Sequence, residues 1–139
     1  AGVAPMIEIH GLDHIVLRTT HMADMQHFYC TVLGCTIERE LPPDFGLVQL
    51  RAGTALIDLV AVDSVLRRIG GGPPTHGANN MDHFCLQIKA LPEEDILRYL
   101  ASHGIAAGPF EQRYGAQGFG NSVYLQDPEG NTVELRNRI

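Results

Sequence analysis

Apolar and polar positions alternate along Gly11-Leu-Asp-His-Ile-Val-Leu-Arg18, with Ile15 and Leu17 on one side and His14, Val16 and Arg18 on the other. That period of two predicts a strand with one face on a core. The same alternation returns in Asn80-Met-Asp-His-Phe-Cys-Leu-Gln87, where Phe84, Leu86 and Ile88 oppose His83, Cys85 and Gln87. In both copies the histidine falls on the less apolar face, and the two histidines are 69 residues apart. A helical period follows each strand. Met22, Met25, Phe28, Tyr29, Val32 and Leu33 recur at three- and four-residue steps before Gly34. In the second copy Pro92 opens a turn, Glu93, Glu94 and Asp95 suit a helix N-terminus, Ile96, Leu97 and Leu100 form the apolar stripe, and Gly104 ends it.

Short strands are predicted next, over 47–50 and 55–62 in the first copy and 122–126 and 132–136 in the second. Asp127-Pro-Glu-Gly-Asn131 supplies the turn between the last two, because proline presets φ and glycine accepts a positive φ. The expected fold is therefore α+β: two repeated βαβββ modules forming a shallow, incompletely closed barrel in a single domain over residues 7–139. Module one covers about 7–69 and module two about 80–139. The glycine- and proline-rich stretch Gly70-Gly-Gly-Pro-Pro-Thr-His-Gly77 lies in the connector, 70–79. Ala1 to Pro5 precede Met6 and read as an expression remnant.

Composition narrows the function. At 139 residues and 45% hydrophobic content the chain can bury a core. A formal net charge of −6 with ten Lys plus Arg leaves no clustered basic surface for nucleic acid. The one adjacent basic pair, Arg67-Arg68, suits a solvated helix end. No apolar run approaches the roughly 20 residues that span a bilayer, and no charged-then-apolar leader is present, so a soluble, cytoplasmic protein is expected. Cys30, Cys35 and Cys85 form no CxxC pair and are expected to be buried free thiols.

Four residues on the polar strand faces have metal-ligand chemistry: His14, Asp58, His83 and Glu134. Either histidine alone could simply pack locally. The repeat argues otherwise, since His14 matches His83 and Asp58 roughly matches Glu134, pairing imidazole with carboxylate in each module. Such donors suit one divalent ion, whether Zn, Ni, Co, Mn or Fe(II). Other features carry less chemistry. Arg113-Tyr-Gly-Ala-Gln-Gly-Phe-Gly120 lacks the Gly-Lys-Ser/Thr ending of a phosphate loop and reads as a mobile loop at a pocket edge. Ser64 and Ser122 lack a nucleophile elbow. His10, His21, His27, His76 and His103 have no repeat partners and read as surface or capping residues.

Leu12-Asp-His-Ile-Val-Leu17, Met25-Gln-His-Phe-Tyr-Cys-Thr-Val-Leu-Gly34, Asp82-His-Phe-Cys-Leu86 and Gly120-Asn-Ser-Val-Tyr-Leu-Gln-Asp-Pro-Glu-Gly-Asn-Thr-Val-Glu-Leu135 resemble the vicinal oxygen chelate superfamily. That group includes glyoxalase I, fosfomycin-resistance thiol transferases, extradiol dioxygenases and metal-free bleomycin-resistance proteins. The resemblance implies that His14, His83 and Glu134 are metal ligands. It places Asp58 where glyoxalase I has a glutamate, so Asp58 binds the ion directly, binds through water, or acts as a base beside it. Arg18 matches an arginine that holds a glutathione carboxylate, whereas Val62 stands where glyoxalase I has a glutathione-contacting asparagine.

The activity implied is that of a lactoylglutathione lyase-like enzyme. It would chelate a small substrate through neighbouring oxygens, one such substrate being a glutathione adduct, and move a proton through an enediolate with Glu134 or Asp58 as the base. Two alternatives are weighed beside it: an Fe(II) extradiol-type dioxygenase, and a metal-free protein that binds a drug or metabolite, whose relatives generally lack the His/His/Glu set retained here. A homodimer is implied, with the site formed within one chain or across two.

Overall fold

In the computed structural model, residues 6, 8–62 and 81–138 are described. The connector 70–79, the residues Ser64, Arg67, Arg68 and His76, and the segment 1–5 lie outside the described residues.

Module one runs β1 (His14–Thr19), α1 (Met22–Gln26), a π-helical segment (His27–Val32), β2 (Thr36–Glu40), β3 (Leu47–Ala52) and β4 (Ala55–Ala61). Module two runs β5 (His83–Lys89), α2 (Glu93–Ser102), β6 (Glu111–Gly115), β7 (Gly118–Gln126) and β8 (Thr132–Arg138). The strands form two unclosed four-stranded sheets, ordered β1-β4-β3-β2 and β5-β8-β7-β6. In each, the first and last strands of the module pair in parallel and the other pairs are antiparallel. This is the predicted twofold βαβββ repeat.

The alternation sorts as expected. Leu17, Leu50, Ile57 and Leu59 of the first sheet and Val123, Leu125, Val133 and Leu135 of the second enter one apolar cluster, with Met25, Phe28, Tyr29, Val32, Ile96 and Leu100 from the helices. Phe84, Leu86 and Ile88 pack against the same cluster. His14, Val16 and Arg18 are left exposed on the other face.

The first helix departs from the uniform α-helix predicted for it. It widens after Gln26, where the Leu33 amide donates to the carbonyl five residues back, Phe28 O, at 3.0 Å. The widened turn contains Tyr29, whose fully buried ring reaches module two. There it stacks on Phe84 at 6.4 Å between centroids, and its hydroxyl donates to Asp127 Oδ2 at 2.6 Å. Burial first, and then the Asp127 carboxylate, hold the Tyr29 hydroxyl well above its ordinary pKa.

The glycine-rich stretch read as a mobile loop is instead the β6–β7 hairpin. Its strand character was hidden because Gly115, Gly118 and Gly120 blank the alternation. Tyr114 and Phe119 pair across the strands at 5.0 Å between ring centroids. On the other face Arg136 lies flat over the hairpin, and a Cβ on Gly115 or Gly120 would sit 2.9 Å from its guanidinium. The glycines make room for the arginine.

A polar clasp also joins the modules. Glu129 Oε1, in the β7–β8 turn, accepts from Thr19 Oγ1 at 2.7 Å, from the Thr20 amide at 2.6 Å and from Thr20 Oγ1 at 2.9 Å, and it lies 3.0 Å from His21 Nδ1. Burial would raise the Glu129 pKa, but the bonds from Thr19, His21 and Thr20 outweigh it and hold the carboxyl at about 2. With a folded pKa below the unfolded one, the clasp stabilises fully above the unfolded value of 4.5 and fades as pH falls toward 2. Glu129→Gln is therefore expected to cost about 2–3 kcal/mol at pH 7 in urea unfolding. The gap from the native chain should shrink steadily between pH 5 and pH 3, and a gap independent of pH would refute this account.

Candidate metal centre

The sheets repeat one local arrangement. In module one, β1 lies parallel to β4 with Val16 opposite Asp58, and Gln49 of β3 is opposite Asp58 on its other side. In module two, Cys85 is opposite Glu134 and Tyr124 of β7 lies beyond it. Each module thus carries a histidine at the start of its first strand and a carboxylate two register steps along the adjacent strand. Among the described residues no three of His, Cys, Asp and Glu converge on one point. The four candidate donors instead lie in two separate pairs, His14 with Asp58 and His83 with Glu134.

His83 is the more telling half. Its Nδ1 lies 2.7 Å from Asp82 Oδ2 and its Nε2 lies 3.0 Å from Glu134 Oε1. A carboxylate only accepts and a neutral imidazole carries one ring proton, so with a carboxylate on each side one ring nitrogen meets an acceptor without a proton of its own. Two acceptors at that distance repel unless a cation lies between them, either a second ring proton or a metal. Ligands each about 2.0–2.2 Å from a divalent ion are spaced about this far apart. Glu134 is buried and His83 half-buried, so their contact is only partly screened by water.

In module one, His14 Nδ1 lies 2.6 Å from Asp13 Oδ2. The hydrogen bond to Asp13 raises the imidazole pKa above its usual value, with the Asp58 charge adding to it and desolvation opposing. Asp58 is 4% exposed. Its Oδ2 accepts from Gln49 Nε2 at 3.1 Å, while Oδ1 is buried with no hydrogen-bond partner among the described residues. A buried carboxylate oxygen without a donor is costly, and a cation would relieve it. The residues present fit a divalent ion: two imidazoles turned by carboxylates behind them, and two buried carboxylates on the same faces.

Sequence reasoning named His14, Asp58, His83 and Glu134 as candidate donors and missed the residues that contact them. Asp13 and Asp82 hold the rings, and the repeated Asp-His dipeptide was a signal for both. Gln49 fixes Asp58, and Tyr124 packs edge-on against His83 at 5.3 Å between centroids. Cys85, expected to be buried, is exposed, because β5 turns it to the same face as His83. Its thiol is pushed up to about 11, by desolvation first and then by Glu134, with Arg136 opposing. Arg18 lies exposed on the His14 face. His21, expected on the surface, belongs to the Glu129 clasp.

Residues 11–135 match the Glyoxalase/Bleomycin resistance protein/Dioxygenase superfamily. No curated protein sequence matches the chain. Among solved structures, an integron cassette protein from the mobile metagenome of V. cholerae is similar at 24% identity and a TM-score of 0.71, over 94% of this chain and 97% of that one. A virulence protein from Salmonella typhimurium is similar at 23% identity and 0.69, over 96% and 100% of the two chains. The lactoylglutathione lyase from Agrobacterium tumefaciens is similar at 23% and 0.67, over 93% and 94%. These likenesses show the fold, and no helix among the described residues is long and apolar enough to cross a membrane. With nearly its whole length matched, this chain belongs to the Glyoxalase/Bleomycin resistance protein/Dioxygenase superfamily.

Proposed function

We propose that this protein is a divalent-metal-dependent enzyme of lactoylglutathione lyase type, acting on a small substrate with two neighbouring oxygens. We further propose that its site is assembled from module one of one chain and module two of a second. The observation that carries this reading is the repeat-matched pair of half-sites, each holding one histidine and one buried carboxylate and neither complete alone. Val16, 52% exposed on the His14 face, offers apolar surface for a second copy to cover. A symmetric homodimer would create two such sites. Similarity to the Agrobacterium lactoylglutathione lyase supports the reaction class.

His14, His83 and Glu134 would hold the ion. When bound, it supplies the Lewis acidity that makes a C–H bond beside a carbonyl acidic enough for a carboxylate base. With the ion on Nε2, Asp13 and Asp82 would accept from Nδ1 of each imidazole and hold the ring in place. Asp58 is held through Oδ2 by Gln49, which leaves Oδ1 to complete the ligand set or to take a proton from one carbon and return it to the next. Glu134 is the other candidate for that transfer. Arg18, exposed on the His14 face, would reach a carboxylate of a glutathione adduct.

Elemental analysis of protein purified without chelators tests this reading. The expected content is about one equivalent of Zn, Ni, Co, Mn or Fe per chain, lost in His83→Ala and in Glu134→Ala. Ni, Co, Mn or Zn directs assays to the hemithioacetal of methylglyoxal and glutathione, and Fe directs them to catechols and oxygen. Protein that takes up none of these ions when each is added overturns the proposal.

A further inference from the structure

We propose that Arg113 binds a carboxylate of the substrate, at a subsite beside the His83–Glu134 half-site; this rests on the chelate-enzyme reading above. His83 and Arg113 touch the same aromatic ring. The Tyr124 ring packs edge-on to the imidazole, and the Arg113 guanidinium carbon stands 4.2 Å from the centre of that ring. The guanidinium is held in a fixed pose, since Nη1 donates to Ser122 O at 2.6 Å and to Ser122 Oγ at 3.0 Å, with Ser122 fully buried. A planar fork fixed in this way is pre-organised for a carboxylate.

The local charge asks for an anion. Arg136, 5% exposed, donates through Nη1 to the Arg113 carbonyl at 3.2 Å and through Nη2 to the Gly118 carbonyl. Among the described residues it forms no ion pair with a carboxylate. Two guanidinium groups therefore share one strip of the sheet face. Among the described residues the one carboxylate hydrogen-bonded to either guanidinium is Glu111, whose Oε2 accepts from Arg113 Nη2 at 3.1 Å and whose side chain is 63% exposed, while Glu134, two residues before Arg136, faces His83. A solvated pair of that kind is weak and easily exchanged, whereas two cations brought under a covering substrate need compensation. The chain as a whole is acidic, at −6, so this strip is a local feature rather than part of a basic surface. A substrate whose neighbouring oxygens reach the His83–Glu134 end would lay a carboxylate tail along Tyr124 onto Arg113.

The test uses two matched chelators, benzohydroxamate and 4-carboxybenzohydroxamate, titrated calorimetrically into the metal-loaded dimer. The expected result is that the carboxylated probe binds about tenfold tighter or more. Arg113→Gln should erase that preference while leaving the benzohydroxamate Kd unchanged, which also shows that the variant is folded. Arg113→Lys should recover part of it. Equal binding of the two probes by the native protein, or a preference that survives Arg113→Gln, overturns the proposal and leaves the chelate site standing. Failure of both probes to bind metal-loaded protein overturns the chelate site and the subsite together.

Discussion

Chains carrying His14→Ala, paired with chains carrying His83→Ala, are expected to recover about one metal ion per dimer, although either variant alone holds little metal. A donor set of one imidazole and one carboxylate binds a divalent ion far more weakly than two of each. Removing a direct ligand should cost more than the roughly 10–100-fold typical of losing an outer-sphere partner. In the proposed symmetric dimer each site would join module one of one chain to module two of the other. A mixed dimer of the two variants then has one site with both histidines intact and one with neither. Purifying it through a different affinity tag on each chain, followed by elemental analysis, gives the readout. If the site were instead closed within a single chain, every chain in the mixture would lack a ligand and no metal would return.

The second large effect is on stability. Asp127→Ala is expected to destabilise the protein by about 3–5 kcal/mol, lowering Tm by roughly 10–15 °C. Asp127 is buried and accepts four hydrogen bonds. Oδ1 takes the amides of Glu129 and Asn131, both at 2.9 Å, and Oδ2 takes Asn131 Nδ2 at 2.8 Å and the Tyr29 hydroxyl at 2.6 Å. Truncation leaves a fully buried tyrosine hydroxyl and two turn amides without an acceptor, and the cost of such orphaned donors exceeds the net worth of the bonds themselves. It also loosens the turn that presents Glu129 to module one. Tyr29→Phe removes one donor and keeps the other three, so it should cost about 1–2 kcal/mol. Added to Asp127→Ala, it should cost less than it does alone, because the orphan has gone. Calorimetry of the three variants with metal chelated reads this out, and a Tm within 3 °C of the native value for Asp127→Ala would contradict it.

Legibility in the sequence tracked how local the cause was. The β3, β4, β7 and β8 strands showed through their apolar content, and the Asp127 turn through proline and glycine. β2 was missed because all five residues of Thr36-Ile-Glu-Arg-Glu40 are exposed at a sheet edge, so no burial pattern marks them. β6 was missed because glycines stand where Arg136 needs space, a requirement set by a residue about twenty positions away. The π-helical turn was missed for a similar reason: periodicity reports the apolar stripe, whereas the wider turn involves Tyr29 and its contact with Asp127 in the other module.

By itself the sequence determined the repeat, the face on which each histidine and carboxylate lies, and hence the chemistry available, because strand alternation and turn residues act over a few positions. Only the tertiary structure decided which donors meet. Parallel pairing of the first and last strands brings His83 to Glu134 and His14 toward Asp58. Packing of the modules through their helices leaves the His14–Asp58 and His83–Glu134 pairs on separate sheets. Those outcomes depend on contacts between residues far apart in the chain, where the local pattern of one segment carries no information about its partner.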